Sequence, residues 1–185
     1  MHSDQQPYRE LYDAILEHEG EDVHGDVIAP WLRAADGERR WLETFGRRRG
    51  TPIPDATIEE SWRLFALSRV AQLVLRLHPA HFGPFMNGLG LQQVRAQAFH
   101  PFLHEIVAVD ETDGEAEVVE EYWPAFMLGP LLIMRAGCRV AARPDVLRKD
   151  IAETSTLYWA TARANGRPTD DLSHGWGSNS SWRTS

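Results

Sequence analysis

The sequence predicts an α+β fold: a helical N-terminal half packed on a small antiparallel β-sheet formed by the C-terminal half. Three observations predict it. Up to about residue 80, apolar residues recur at three- and four-residue spacings, the period of a helix with one buried face. Beyond that point, short Val/Ile-rich runs are punctuated by turn dipeptides such as Asp113-Gly114. The chain has 185 residues, 43% hydrophobic and 25% charged, which suits one soluble globular domain with its own core. The expected organisation is a single domain over 1–185. It comprises a helical part (1–80), a hairpin-containing β part (81–164) and a Gly/Ser/Trp-rich C-terminal segment (165–185).

The elements follow in order. Pro7 suits a first helical turn, and Tyr8, Leu11, Tyr12, Ile15 and Leu16 form an apolar stripe that Gly20 closes. A second helix is expected after Asp26, with Val27, Ile28, Trp31 and Leu32 on one side. A third follows Gly37 with Trp41, Leu42 and Phe45, and ends at Arg47-Arg48-Arg49-Gly50, where cations complement the helix dipole. Residues 51–55, rich in proline, read as a linker or turn. Thr57 and Glu60 have the spacing of a capping box, opening the longest helix, with Ile58, Trp62, Phe65, Ala66, Val70, Leu73, Val74 and Leu77 as its apolar face. His78-Pro79 stops it. The stretch from His81 to Gly90 is expected to be an irregular, turn-rich connection. It lacks the glycine spacing and the Gly-Lys-Ser/Thr of a phosphate loop.

From Phe102 to Tyr122 the pattern predicts a β-hairpin about Asp113-Gly114. Leu128–Ala136 is a strand or a short helix, since periodicity does not choose. Cys138–Ala142 reads as a strand, Asp145–Glu153 as a short helix and Thr156–Thr161 as a strand. The tail carries Trp176 and Trp182, whose expected role is packing.

The chemistry-bearing side chains concentrate in His100-Pro101-Phe102-Leu103-His104-Glu105 and in Glu120-Glu121. With a two-residue hairpin loop, side-chain alternation puts His104, Ile106, Val119, Glu121 and Trp123 on one face, and His104 becomes a diagonal neighbour of Glu121. Two imidazoles and a carboxylate suit Fe, Zn or Mn. The expected metal ligands are therefore His100, His104 and Glu121, with His174 from Ser173-His174-Gly175-Trp176 as the further ligand or acid–base group. The competing reading makes His100 a turn residue, His104 a satisfied core or edge histidine, and Glu120-Glu121 a solvated edge. The single cysteine, Cys138, excludes an intrachain disulfide and is expected to be a buried filler.

Two functions follow. One is a small-molecule enzyme, oxidative or hydrolytic, built on that divalent-metal site. The alternative is a noncatalytic acidic protein that binds a basic protein partner, as toxin-neutralising proteins do. The net charge of -8 argues against nucleic acid as a partner, because such binding needs phosphate neutralisation by Lys and Arg. No apolar run approaches the roughly 20 residues of a membrane span, so no membrane partner is expected. Residues 1–7 show neither a positive nor an apolar signal region, and a cytoplasmic location is expected. Of 19 basic residues only Lys149 is lysine, a bias that points to a GC-rich bacterial genome.

Overall fold

The computed structural model describes residues 6–48, 57–96 and 98–154. The fold is α+β, with five α-helices in the N-terminal half and two three-stranded sheets in the C-terminal half. The chain divides into two compact units, one of residues 1–92 with 128–131 and one of residues 93–127 with 132–185. The linker 51–55, the strand expected at Thr156–Thr161, and His174, Trp176 and Trp182 lie outside the described residues.

The helical unit begins with α1 (Gln6–Glu17), whose Tyr8, Leu11, Tyr12 and Ile15 are buried as their spacing requires. A π-helical turn (His24–Ile28) leads into α2 (Ala29–Ala34), and α3 (Asp36–Gly46) buries Leu42 and Phe45. The long helix α4 (Ile58–Leu77) starts where the sequence places it. Glu60 N–H donates to Thr57 Oγ1 at 3.2 Å, and Thr57 N–H donates to the Glu60 carboxylate at 3.0 Å. Such a cap is worth ~1 kcal/mol, because it satisfies amide groups that have no partner within the helix. Arg48 grips the same carboxylate through two hydrogen bonds, at 2.6 and 2.8 Å. Those bonds, ahead of the Thr57 amide, hold the Glu60 carboxyl below its usual range of 4.5. Its contribution to stability is present above that range and is lost as pH falls through the lowered value.

The first correction concerns residues 79–88. His78 does end α4, but Pro79 starts another helix, α5 (Pro79–Gly88), which takes up most of the His81–Gly90 stretch expected to be irregular. Pro79 occupies a first-turn position that needs no N–H. Gly83 and the internal Pro84 weaken local propensity, yet Phe82, Phe85 and Met86 are all buried, and that burial outweighs it.

The second correction concerns the hairpin. Strands β2 (His104–Glu111) and β3 (Glu117–Trp123) are not neighbours. The strand β6 (Ala136–Ala142) lies between them, parallel to β2 and antiparallel to β3, so the sheet is mixed rather than antiparallel. Residues 112–116 form a longer connection than the two-residue loop expected at Asp113-Gly114. The physical reason is the character of β6. Six of its seven residues are buried, and a strand shielded on both faces belongs at the centre of a sheet. The second sheet has the order β1 (Gln92–Val94), β4 (Ala125–Leu128), β5 (Leu131–Met134). Gly129, at φ +57°, and Pro130 join β4 to β5, so the 128–136 stretch is neither one strand nor a helix but the end of β4, a turn, β5 and the first residue of β6. The last described helix, α6 (Lys149–Thr154), runs against β2.

Candidate functional site

His100 and His104 close one turn of backbone. His104 N–H donates to the His100 carbonyl at 2.9 Å, and Leu103 N–H does the same at 3.0 Å. The imidazole of His104 bends back over this turn. His100 N–H donates to His104 Nδ1 at 2.9 Å, and the His100 carbonyl lies 3.2 Å from the same nitrogen. The turn therefore serves either tautomer. His104 is almost fully buried and stacks on Phe99, with ring centroids 5.7 Å apart. His100 is exposed, and its own Nδ1 accepts from Phe102 N–H at 3.2 Å. The four-residue spacing of the two histidines is thus realised as a turn lock at the start of β2.

Glu121 does not adjoin His104. It is paired with Cys138 on β6, and Cys138 is paired in turn with Ile106 on β2, while His104 faces Ala136. His104, Ile106 and Glu121 do share one face, but a whole strand intervenes. Two inter-strand spacings amount to roughly 10 Å. The diagonal contact derived from a two-residue hairpin is therefore corrected. Irregularities in register after Ile106, Val118 and Glu121 also redistribute the faces. Val109 and Val118 join the face of Cys138 and Val140, and Trp123 turns to the opposite face over Gly137. The carboxylate of Glu121 lies 3.7 Å from Arg95. Among the described residues, no group of three or more His, Cys, Asp or Glu side chains is arranged to hold a metal ion, and His174 lies outside them.

Cys138 packs as expected for a filler, fully buried with Val140 and Ala142. Burial first, and then the charges of Glu105 and Glu121, push its thiol up to about 12. At neutral pH it is a protonated thiol without nucleophilic character.

The opposite face and the loop of this sheet are acidic. Arg139, on the central strand, bridges Asp110 of β2 at 3.3 Å and Glu120 of β3 at 3.0 Å. Past this bridge, Glu111, Asp113, Glu115 and Glu117 are all exposed, and among the described residues none of the four forms an ion pair. Beside them, β3 exposes Val119 and Tyr122 and has a strand partner on one side only among the described residues.

Sequence reasoning missed a second cluster, in the helical unit. His24 and His81 stack with ring centroids 4.7 Å apart, and His78 lies 6.4 Å from His81. His18 Nε2 is 3.1 Å from Asp26 Oδ2. Burial first, and then the nearby His81 and His18, hold His78 below its usual value of 6.5. The His78-x-x-His81 spacing was the one local signal. His18 and His24 lie more than 50 residues earlier, and nothing in the sequence ties them to it.

Comparison of the chain with models of known families, with curated proteins and with solved structures yields no match. No described helix is long and apolar enough to cross a membrane.

Proposed function

We propose that this is a noncatalytic acidic binding protein, whose β2-β6-β3 sheet presents a basic partner protein with an acid-fringed edge. The observation that carries this reading is the set of four exposed carboxylates, Glu111, Asp113, Glu115 and Glu117, that no described cation neutralises. Like charges held close together repel one another, so the free protein carries a cost that a cationic partner relieves. The exposed Val119 and Tyr122 on β3 add apolar area of the kind that fixes a partner in place. The net charge of -8 acts in the same direction at longer range, raising the rate of encounter with cations.

The experiment is a low-salt pull-down from the native host, repeated with a variant in which these four acids are replaced by Gln or Asn. A specific basic protein is expected with the parent chain, with at least tenfold weaker capture by the variant and steep loss as salt rises. Recovery of no partner at low salt, or equal capture by both chains, would sink the reading.

A second reading keeps the small-molecule enzyme, oxidative or hydrolytic, with Fe, Zn or Mn held by His100, His104, Glu121 and His174. It is supported by the His100 carbonyl near His104 Nδ1. A carbonyl that takes the Nδ1 proton leaves Nε2 free to bind a metal. Metal analysis of untagged protein is expected, on this reading, to give about one metal per chain, falling at least tenfold in His104→Ala. No stoichiometric metal, or an unchanged affinity in the variant, excludes it.

A further inference from the structure

We propose that the cluster of His24, His78 and His81, with His18 beside it on Asp26, makes the helical unit a proton sensor, closed while the three clustered rings are neutral and opened when they are protonated. Three elements meet at this cluster: the segment after α1, the π-helical turn, and the junction of α4 with α5. A π-turn is a rare way to wind a chain and is frequent at functional sites. Here it begins at His24, the residue that stacks on His81.

The arrangement is stable for neutral rings and unstable for charged ones. Two imidazoles 4.7 Å apart attract as aromatic faces, but two imidazolium ions at that distance repel. His81 lies in the first turn of α5. His78 sits between the two helices, with both His81 and His18 as electrostatic neighbours. Arg76, in the last turn of α4, adds positive charge nearby. Glu17 ends α1, the segment after it carries Glu19, Glu21 and Asp22, and the π-turn carries Asp26. Asp26 is engaged with His18, and Asp22 accepts a hydrogen bond from Gly25 N–H at 2.8 Å. Among the described residues, no ion pair joins His24, His78 or His81 to a carboxylate.

The sign follows from His78. Its folded form favours the neutral ring, so below its usual value of 6.5 the opened chain binds more protons than the closed one. Closure is therefore complete above that pH and is lost as pH falls through it. The charge change lies in the interval where histidine alone among unperturbed side chains titrates. Because His24 lies on the π-turn and His78 and His81 at the α4–α5 junction, their repulsion acts on tertiary contacts and not within a single helix.

The test is amide hydrogen exchange on the full chain at about pH 7.5 and 5.5, corrected for the intrinsic pH dependence of exchange. Residues 24–28 and 78–84 are expected to exchange at least tenfold faster at the lower pH, while β6 keeps its protection. In His81→Gln the acid-induced increase is expected to fall to less than threefold. His24→Gln gives the same reading from the other ring should His81→Gln fail to fold, with circular dichroism at pH 7.5 checking each variant. Equal protection of both segments at the two pH values, or an undiminished acid response in both cluster variants, overturns the proposal.

Discussion

Gly137→Ala is expected to destabilise the second unit by about 3 kcal/mol, at the severe end of the range for overpacking. A Cβ at this position would clash with the Trp123 ring, far inside van der Waals contact with Cζ2, Cη2 and Cε2. Neither side can yield easily. Gly137 lies on β6, held by β2 on one side and by β3 on the other. Trp123 is buried, and its Nε1–H donates to the Arg135 carbonyl at 2.9 Å, which fixes the plane of the ring. Equilibrium unfolding in urea measures the effect. In a Trp123→Leu background, where the ring is gone, the same Gly137→Ala change is expected to cost less than about 1 kcal/mol, a coupling typical of residues in contact. An unchanged urea midpoint for Gly137→Ala alone would show that the indole does not cover Gly137.

Glu38→Ala is expected to cost the helical unit about 3 kcal/mol, because it strands a guanidinium without its counter-charge. Glu38 is buried, and its carboxylate accepts from Arg63 Nε at 3.0 Å and from Nη2 at 2.5 Å. The Arg63 guanidinium also lies over the Trp41 ring, 4.2 Å from its centroid, so it cannot swing into water without giving up that contact. Tyr8 shares this environment: burial first, and then the charge of Glu38, push its hydroxyl well above the usual tyrosine range. Replacing both partners tests the mechanism. The double variant Glu38→Leu with Arg63→Met is expected to recover most of the lost stability, since two apolar side chains of similar size leave no unpaired charge behind. A double variant no more stable than Glu38→Ala would show that the pair contributes through shape and not through charge.

Much of the fold was legible because it rests on local interactions. The stripe of α1, the Thr57–Glu60 cap, the end of α4 at His78 and the strand over Cys138–Ala142 each depend on residues a few positions apart. α5 was not legible, because Gly83 and Pro84 speak against a helix locally and only burial of Phe82, Phe85 and Met86 speaks for it. The candidate site failed for a related reason. The Asp113-Gly114 pair is a strong hairpin signal, and the faces assigned to His104 and Glu121 followed from it. A local turn preference, however, says nothing about a strand that arrives some 20 residues later. Cys138, read as filler, proved to sit on the strand that separates them.

By itself, the sequence determined the α+β class, the helical N-terminal half, the capping chemistry, the concentration of acids between Asp110 and Glu121, and an uncharged, buried role for Cys138. Only the tertiary structure decided that β6 lies between β2 and β3, that His100 and His104 close a turn, and that His18, His24, His78 and His81 meet. The division has one physical cause. Helical periodicity and capping are enforced within a turn or two of chain, so they are written into neighbouring residues. Strand order and the meeting of distant side chains are set by which surfaces are buried most completely, a property of the whole chain that no short stretch contains.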